Sequence, residues 1–198
     1  MEYLIIIQIV LIILLIVSVY YLNKTERRNL IYVKSDFDDK IYLVKNLGDG
    51  KDAAYILSII HGRVHKMRDF LKNNSEKFPY FQKYIIPFCH RIKNLNLCET
   101  LPNGEYTSYT FNKGEEIGLC LRSGNNGRFH DTNLIMYVLL HELAHVACPE
   151  MDHTELFKKI FIFFLKIAVY LEIYENVNYQ INPHEYCGIT INENLLDN

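Results

Sequence analysis

The stretch that decides the fold is YVLLHELAHVA, residues 137–147, in which His141 and His145 stand four residues apart and Glu142 follows the first of them. Apolar residues on both sides predict a buried helix from about Asn133 to Ala147. One helical turn separates the two imidazoles, so both project from the same face and can reach one cation at about 2.0–2.1 Å. The carboxylate of Glu142 then lies beside the cation and not on it, where a general base must stand to take a proton from water.

A third ligand is needed, because a catalytic zinc site keeps its fourth position for water. His153 lies eight residues after His145, beyond the helix-ending Pro149 and at the start of the next predicted helix. The chain can fold back there and present the imidazole to the metal. Glu155 is the rival third ligand, and Glu172 and Glu175 are more distant ones. We favour His153, and we expect Zn²⁺ as the cofactor.

The histidine motif, together with DHTELF at residues 152–157, resembles the WLM/SprT-like group of small zinc metallopeptidases. Further segments are similar to versions encoded by large DNA viruses: residues 107–110, 112–114, 117–122 and 182–188. The resemblance spans roughly residues 41–192. It implies an α+β minimal zincin domain, gluzincin-like, with a small, mostly antiparallel sheet on about three helices. It also implies that the strand at 117–121 is an edge strand able to pair with an extended peptide.

The N-terminal segment predicts a membrane anchor. Residues 3–22 carry no charge and, as a helix, would reach roughly 30 Å, the hydrocarbon thickness of a bilayer. Positive charge follows it, at Lys24, Arg27 and Arg28, which places the C-terminal part in the cytoplasm and the N-terminus outside. We therefore expect a transmembrane anchor at 1–22, a juxtamembrane linker at 23–40 and a metallopeptidase domain at 41–198, in a host or virion membrane.

Composition and cysteine usage narrow the class of protein further. With 21 Lys and Arg against 23 Asp and Glu, the chain supplies no strong signal for nucleic-acid binding. The chain has five cysteines, an odd number, and no C-x-x-C motif. This usage predicts reduced thiols and no disulfide framework. His61 and His65 are also four residues apart, but the neighbouring Arg63 and Lys66 favour a solvated helix face over a metal site.

These patterns predict a membrane-anchored metallopeptidase that acts on a protein or peptide substrate through a zinc-activated water, with Glu142 as general base. Tyr186 and His184, in a polar turn after Pro183, are candidates for contacting the oxyanion or the substrate, and a simple structural turn is the alternative. A catalytically silent, zinc-stabilised membrane scaffold or a virion structural protein is the alternative function.

Overall fold

The computed structural model describes residues 2–27, 29–100, 107–193 and 195–196. The helices are α1 (Glu2–Arg27), α2 (Gly50–Asn74), α3 (Gln82–Arg91), α4 (Thr132–Ala147) and α5 (Glu155–Tyr170). The strands are β1 (Leu30–Lys34), β2 (Ile41–Lys45), β3 (Asn96–Glu99), β4 (Tyr109–Phe111), β5 (Glu116–Leu119), β6 (His184–Tyr186) and β7 (Ile189–Ile191). The fold is α+β, with five α-helices among the described residues.

The main sheet is mixed, with the order β1-β2-β3-β5-β4, so the expected mostly antiparallel sheet is wrong. β2 and β3 are parallel because α2 and α3 form the crossover between them, whereas the two outer pairs, β1–β2 and β4–β5, are antiparallel. The edge position expected for residues 117–121 is also wrong, because β4 lies outside β5. Residues 30–34, inside the stretch expected to be a linker, form β1.

The membrane anchor predicted at residues 3–22 is wrong. Within the ranges that the structure describes, no helix is both long and apolar enough to cross a membrane. The predicted single-pass topology and the localisation that depended on it are therefore also wrong.

The helices form one core with the main sheet. The predicted apolar stripe of α2 is buried, from Leu57 through Val64 to Leu71. α2 packs on β1, β2 and β3, while α4 contacts α3, α5, β4 and β5. α5 is a core helix, as predicted from the charges that interrupt its apolar run, since Phe157, Phe164 and other members of its inner face are buried. This packing holds α4 between the sheet and α5.

His61 does not lie on a solvated helix face, so that interpretation is wrong. Its side chain is only 5% exposed, and its Nδ1 lies 3.0 Å from the hydroxyl of Tyr42. The ring stacks on His65 with centroids 4.5 Å apart. Burial lowers the pKa of His61 to about 4, so the side chain is neutral at physiological pH.

Two of the five cysteines are joined, which corrects the expectation of reduced thiols throughout. A disulfide links Cys120, just after β5, to Cys187 in the turn between β6 and β7. Cys89, Cys98 and Cys148 are free. The bond joins positions 67 residues apart, and such a separation leaves no local mark in the sequence. It ties the β6–β7 hairpin to the main sheet.

Candidate metal centre

Capping interactions set the two ends of helix α4, which carries His141, Glu142 and His145. Asp131 caps it, its carboxylate accepting a hydrogen bond from the Asn133 N–H at 2.8 Å. It ends at Ala147 because Cys148 is extended, as the residue before a proline prefers to be. The predicted helix over about 133–147 is confirmed.

A short turn between α4 and α5 returns the chain to the face of α4 that carries His141 and His145. Asp152 has a φ of 62°, a left-handed conformation that Asp tolerates better than most residues. Thr154 then caps α5, its hydroxyl accepting from the Phe157 N–H at 3.3 Å. His153, between these two residues, is thereby carried back over α4.

The structure brings the three predicted histidines together. The Nε2 atoms of His141 and His145 are 3.2 Å apart, those of His145 and His153 3.2 Å, and those of His153 and His141 3.0 Å. Ligands of a tetrahedral zinc ion at about 2.0–2.1 Å would be about 3.4 Å apart. A neutral imidazole has a single N–H, so three nitrogens converging on one point leave lone pairs that a cation satisfies. The donor set therefore fits a metal ion.

Burial keeps two of these imidazoles in the neutral form, which is the form able to bind a metal ion. It lowers the pKa of His141 to about 3, with the neighbouring imidazoles adding to the shift. It lowers the pKa of His145 to about 4, with His153 and Lys113 as further causes. The aromatic ring of Phe157 packs against all three imidazoles, with centroid distances of 5.0, 4.2 and 4.8 Å to His141, His145 and His153.

The rival ligands lie outside this cluster. Among the described residues, one group of three or more potential metal ligands consists of the three histidines alone. Glu155 instead forms an ion pair with Lys158 at 3.0 Å. The backbone N–H and carbonyl of Glu175 are bound by the side chain of Asn133.

Glu142 is buried beside the histidines, 9% exposed, and its Oε2 accepts a hydrogen bond from the Thr110 hydroxyl at 2.8 Å. Burial raises the pKa of this carboxyl group, and the bond from Thr110 opposes that shift. Glu142 and His141 line a cleft of about 250 Å³. The other lining residues are Thr107, Ser108, Tyr137, Val138, Phe161, Tyr186 and residues 189–193. Glu142 and His141 therefore border the same open space.

Tyr186 lines this cleft, but its hydroxyl is already engaged. The phenol is fully buried, accepts a hydrogen bond from the Cys120 N–H at 3.1 Å, and lies 2.8 Å from the Ser108 hydroxyl. His184 does not occur among the described lining residues. Its Nδ1 lies 2.9 Å from the carbonyl oxygen of Asn182.

Thr110 and Phe157 are functional candidates that sequence reasoning missed. Thr110 lies 32 residues before Glu142 and meets it only because β4 packs on α4. No spacing rule covers such a contact. Phe157 was noticed only as part of a motif, and its packing against three imidazoles depends on the turn at 148–154.

An α+β domain that gathers three histidines and a buried glutamate around one helix is metallopeptidase-like. The family model of the WLM domain matches residues 87–160, which contain all four of these side chains. Protein R325 of Acanthamoeba polyphaga mimivirus is 53% identical over 192 residues, covering 97% of this chain and 98% of that protein. The chain belongs to the WLM-domain family, with relatives in large DNA viruses.

Other similar proteins match over shorter stretches. Protein 042R of Invertebrate iridescent virus 3 is 43% identical over 70 residues, or 35% of this chain and 43% of that protein. The crystal structure of Wss1 from Saccharomyces cerevisiae superimposes with a TM-score of 0.48 and 23% identity, covering 65% of this chain and 87% of that one.

Proposed function

We propose that this protein is a zinc-dependent metallopeptidase that hydrolyses peptide bonds in protein substrates. The observation that carries this proposal is the convergence of three imidazole nitrogens, with separations of 3.0–3.2 Å, beside the buried carboxylate of Glu142. Three protein ligands, with the fourth position left for water, are typical of catalytic zinc sites, whereas structural sites are closed by four. Within the described ranges, this group contains three ligand residues.

Imidazole ligands in a tetrahedral arrangement favour zinc over the hard cations Mg²⁺ and Ca²⁺, which prefer oxygen. When bound here, zinc would supply Lewis-acid chemistry, polarising the scissile carbonyl and making water nucleophilic near neutral pH. His141, His145 and His153 would hold it, and the ring of Phe157 would shield one side of the three imidazoles from solvent.

Glu142 would move the proton. Thr110 donates to Oε2, which holds the carboxylate in one orientation and leaves Oε1 to accept a proton from the attacking water. The same carboxyl group would then deliver that proton to the nitrogen of the leaving amine. Burial raises the pKa of this carboxyl group, a direction that favours proton uptake.

The substrate chain would lie along β4. This strand is at the end of the main sheet, its outer side pairs with no other strand among the described residues, and it contacts α4. An extended peptide can add to such an edge through main-chain hydrogen bonds. Since Thr110 is the middle residue of β4, the added peptide would pass next to Glu142.

The direct test uses the full chain with one equivalent of zinc and casein as an unfolded substrate, with new peptide termini identified by mass spectrometry. We expect cleavage that phenanthroline abolishes and added zinc restores, while the non-chelating isomer of phenanthroline has no effect. A folded chain that binds zinc and cleaves no unfolded substrate would contradict the proposal and favour a silent scaffold. A chain that binds no zinc would refute it.

Replacing Thr110 by valine should lower kcat by about 10- to 150-fold, because a hydrogen bond to a charged group contributes about 1.5–3 kcal/mol. The Thr110→Ser variant keeps the hydroxyl and should restore most of the activity. Zinc content, measured in parallel, should be unchanged in both variants. If serine is as damaging as valine, packing of β4 and not the hydrogen bond to Glu142 is what matters.

A further inference from the structure

A second group of potential metal ligands lies near the β6–β7 hairpin and consists of Cys120, His130 and Cys187, whose ligand atoms all lie within 4.8 Å of one another. They come from three segments: the end of β5, the loop before α4, and the turn between β6 and β7. None of them belongs to the histidine centre. The metallopeptidase proposal leaves this group unexplained.

Hydrogen bonds and ion pairs fix the backbone around this group. Arg122 pairs with Phe129 across the intervening loop, and the His130 N–H donates to the carbonyl of Leu121 at 2.8 Å. The Arg122 guanidinium is buried, bonded to Glu99 at 2.9 Å and to Asp49. These contacts hold His130 beside the sulfur of Cys187, with Nε2 3.4 Å from Sγ.

The positions of the two cysteines suit both a disulfide and a shared metal ion. Their Cα atoms are 6.4 Å apart, within the usual disulfide range of about 4.4–6.8 Å. Two thiolates on one zinc ion at about 2.3 Å would have their sulfurs about 3.8 Å apart. The sulfurs would have to separate by roughly 1.7 Å from their bonded distance, which rotation of the two side chains can supply.

We propose that Cys120, Cys187 and His130 form a second metal site, specific for a thiophilic ion such as zinc, that is closed by the disulfide and opened by its reduction. Two thiolates and one imidazole are a soft donor set, which selects zinc or copper(I) over magnesium or calcium. The three protein ligands leave one position for water or another ligand.

The chemistry of opening is a two-electron reduction. A phosphine reductant takes the oxygen of one water molecule and becomes the phosphine oxide, while the S–S bond breaks and each sulfur gains one hydrogen. Binding of Zn²⁺ then releases both thiol protons as two Zn–S bonds form. In the oxidised chain neither sulfur is a thiolate, so this site cannot hold the metal.

Both the disulfide and the proposed metal ion would link the β6–β7 hairpin to the end of β5 through Cys187 and Cys120. Tyr186 and residues 189–193, which line the cleft beside Glu142, belong to β6, β7 and the segment that follows. The disulfide or the metal therefore fastens one wall of that cleft to the end of β5. The second site stands whether or not the cleft hydrolyses peptides.

The test measures zinc per full chain by elemental analysis, with and without a phosphine reductant. We expect about one zinc in the oxidised chain, at the histidine centre, and about two in the reduced chain. Cobalt should add a thiolate-to-metal charge-transfer band only after reduction, because the histidine centre has no sulfur ligand. An unchanged zinc count on reduction, with no such band, would overturn the proposal.

Variants separate the two centres. Cys120→Ser/Cys187→Ser and His130→Ala should each bind about one zinc under reducing conditions, whereas Cys89→Ser, which alters a free cysteine outside the group, should bind two. A His153→Ala chain should bind no zinc tightly when oxidised and about one when reduced. That result would support the second site even if the first were refuted. If the His153→Ala chain bound no zinc after reduction either, the second site alone would be overturned. The cobalt band of the unaltered chain decides the matter if a variant does not fold.

Discussion

Replacing Glu142 by glutamine is expected to leave zinc binding intact while lowering kcat for peptide hydrolysis by about 10²–10⁴-fold. Glutamine has nearly the same shape as glutamate, and its carbonyl oxygen can still accept the hydrogen bond that Thr110 donates. What it loses is the ability to take a proton from water at neutral pH. Zinc per chain and turnover of a fluorogenic peptide, measured on the same preparation, check both halves of the prediction.

Glu155→Gln is the matched control for this variant. Glu155 is a carboxylate two residues after His153 in the sequence, and it pairs with Lys158 at the exposed start of α5. Turnover by this variant should stay within about twofold of the unaltered chain, since an exposed ion pair contributes little. Full activity of Glu142→Gln would refute the assignment of Glu142 as general base, whatever the metal content.

Replacing His153 by alanine is expected to weaken zinc binding by more than about 100-fold, because losing a direct ligand should cost more than the 10–100-fold typical of outer-shell partners. Peptide hydrolysis should be lost with the metal. His153 is exposed, so its removal leaves no cavity in the core and the chain should stay folded. Isothermal titration of the metal-free, oxidised chain with zinc measures the affinity.

His184→Ala serves as the comparison for His153→Ala. His184 is another histidine outside the core, but it bonds to the carbonyl of Asn182 and lies outside the histidine cluster. Its zinc affinity should match that of the unaltered chain. If His153→Ala also binds zinc normally, the third ligand is another group, and Glu155 would be the first to examine.

The sequence predicted the parts of the centre that lie on one continuous helix. His141, Glu142 and His145 have a fixed mutual geometry once α4 is recognised, because helical periodicity alone sets it. His153 was harder, since it required the chain to reverse after Pro149. The direction was still predictable, because Pro149 ends one helix and the next helix was expected to begin near Asp152.

Other parts of the site depend on contacts between distant segments. The bond from Thr110 to Glu142 requires β4 to pack on α4, and the bond between Cys120 and Cys187 requires the hairpin to return to β5. The mixed order of the sheet belongs to the same class of features. The spacing of residues in the sequence does not predict which strands are neighbours, because strand pairing is set by packing of the whole domain.

At the N-terminal segment the sequence predicted a feature that the structure contradicts. An uncharged run at residues 3–22 predicted a transmembrane anchor, yet no helix in the described ranges of the chain meets the length and hydropathy that a bilayer requires. Likewise, the charges around His61 predicted a solvated face, but that side chain is buried against Tyr42. For His61 the local charge pattern gave no information about Tyr42, which lies 19 residues away in the sequence.

The sequence by itself determined the pairing of His141 and His145 on one helix face, the helix that carries them and the family to which the chain belongs, because these depend on residues within a few helical turns. Only the tertiary structure decided the partner of Glu142, the closing of the cleft by the β6–β7 hairpin, and the meeting of Cys120, His130 and Cys187. Such contacts join segments tens of residues apart, and they arise only when the core has packed.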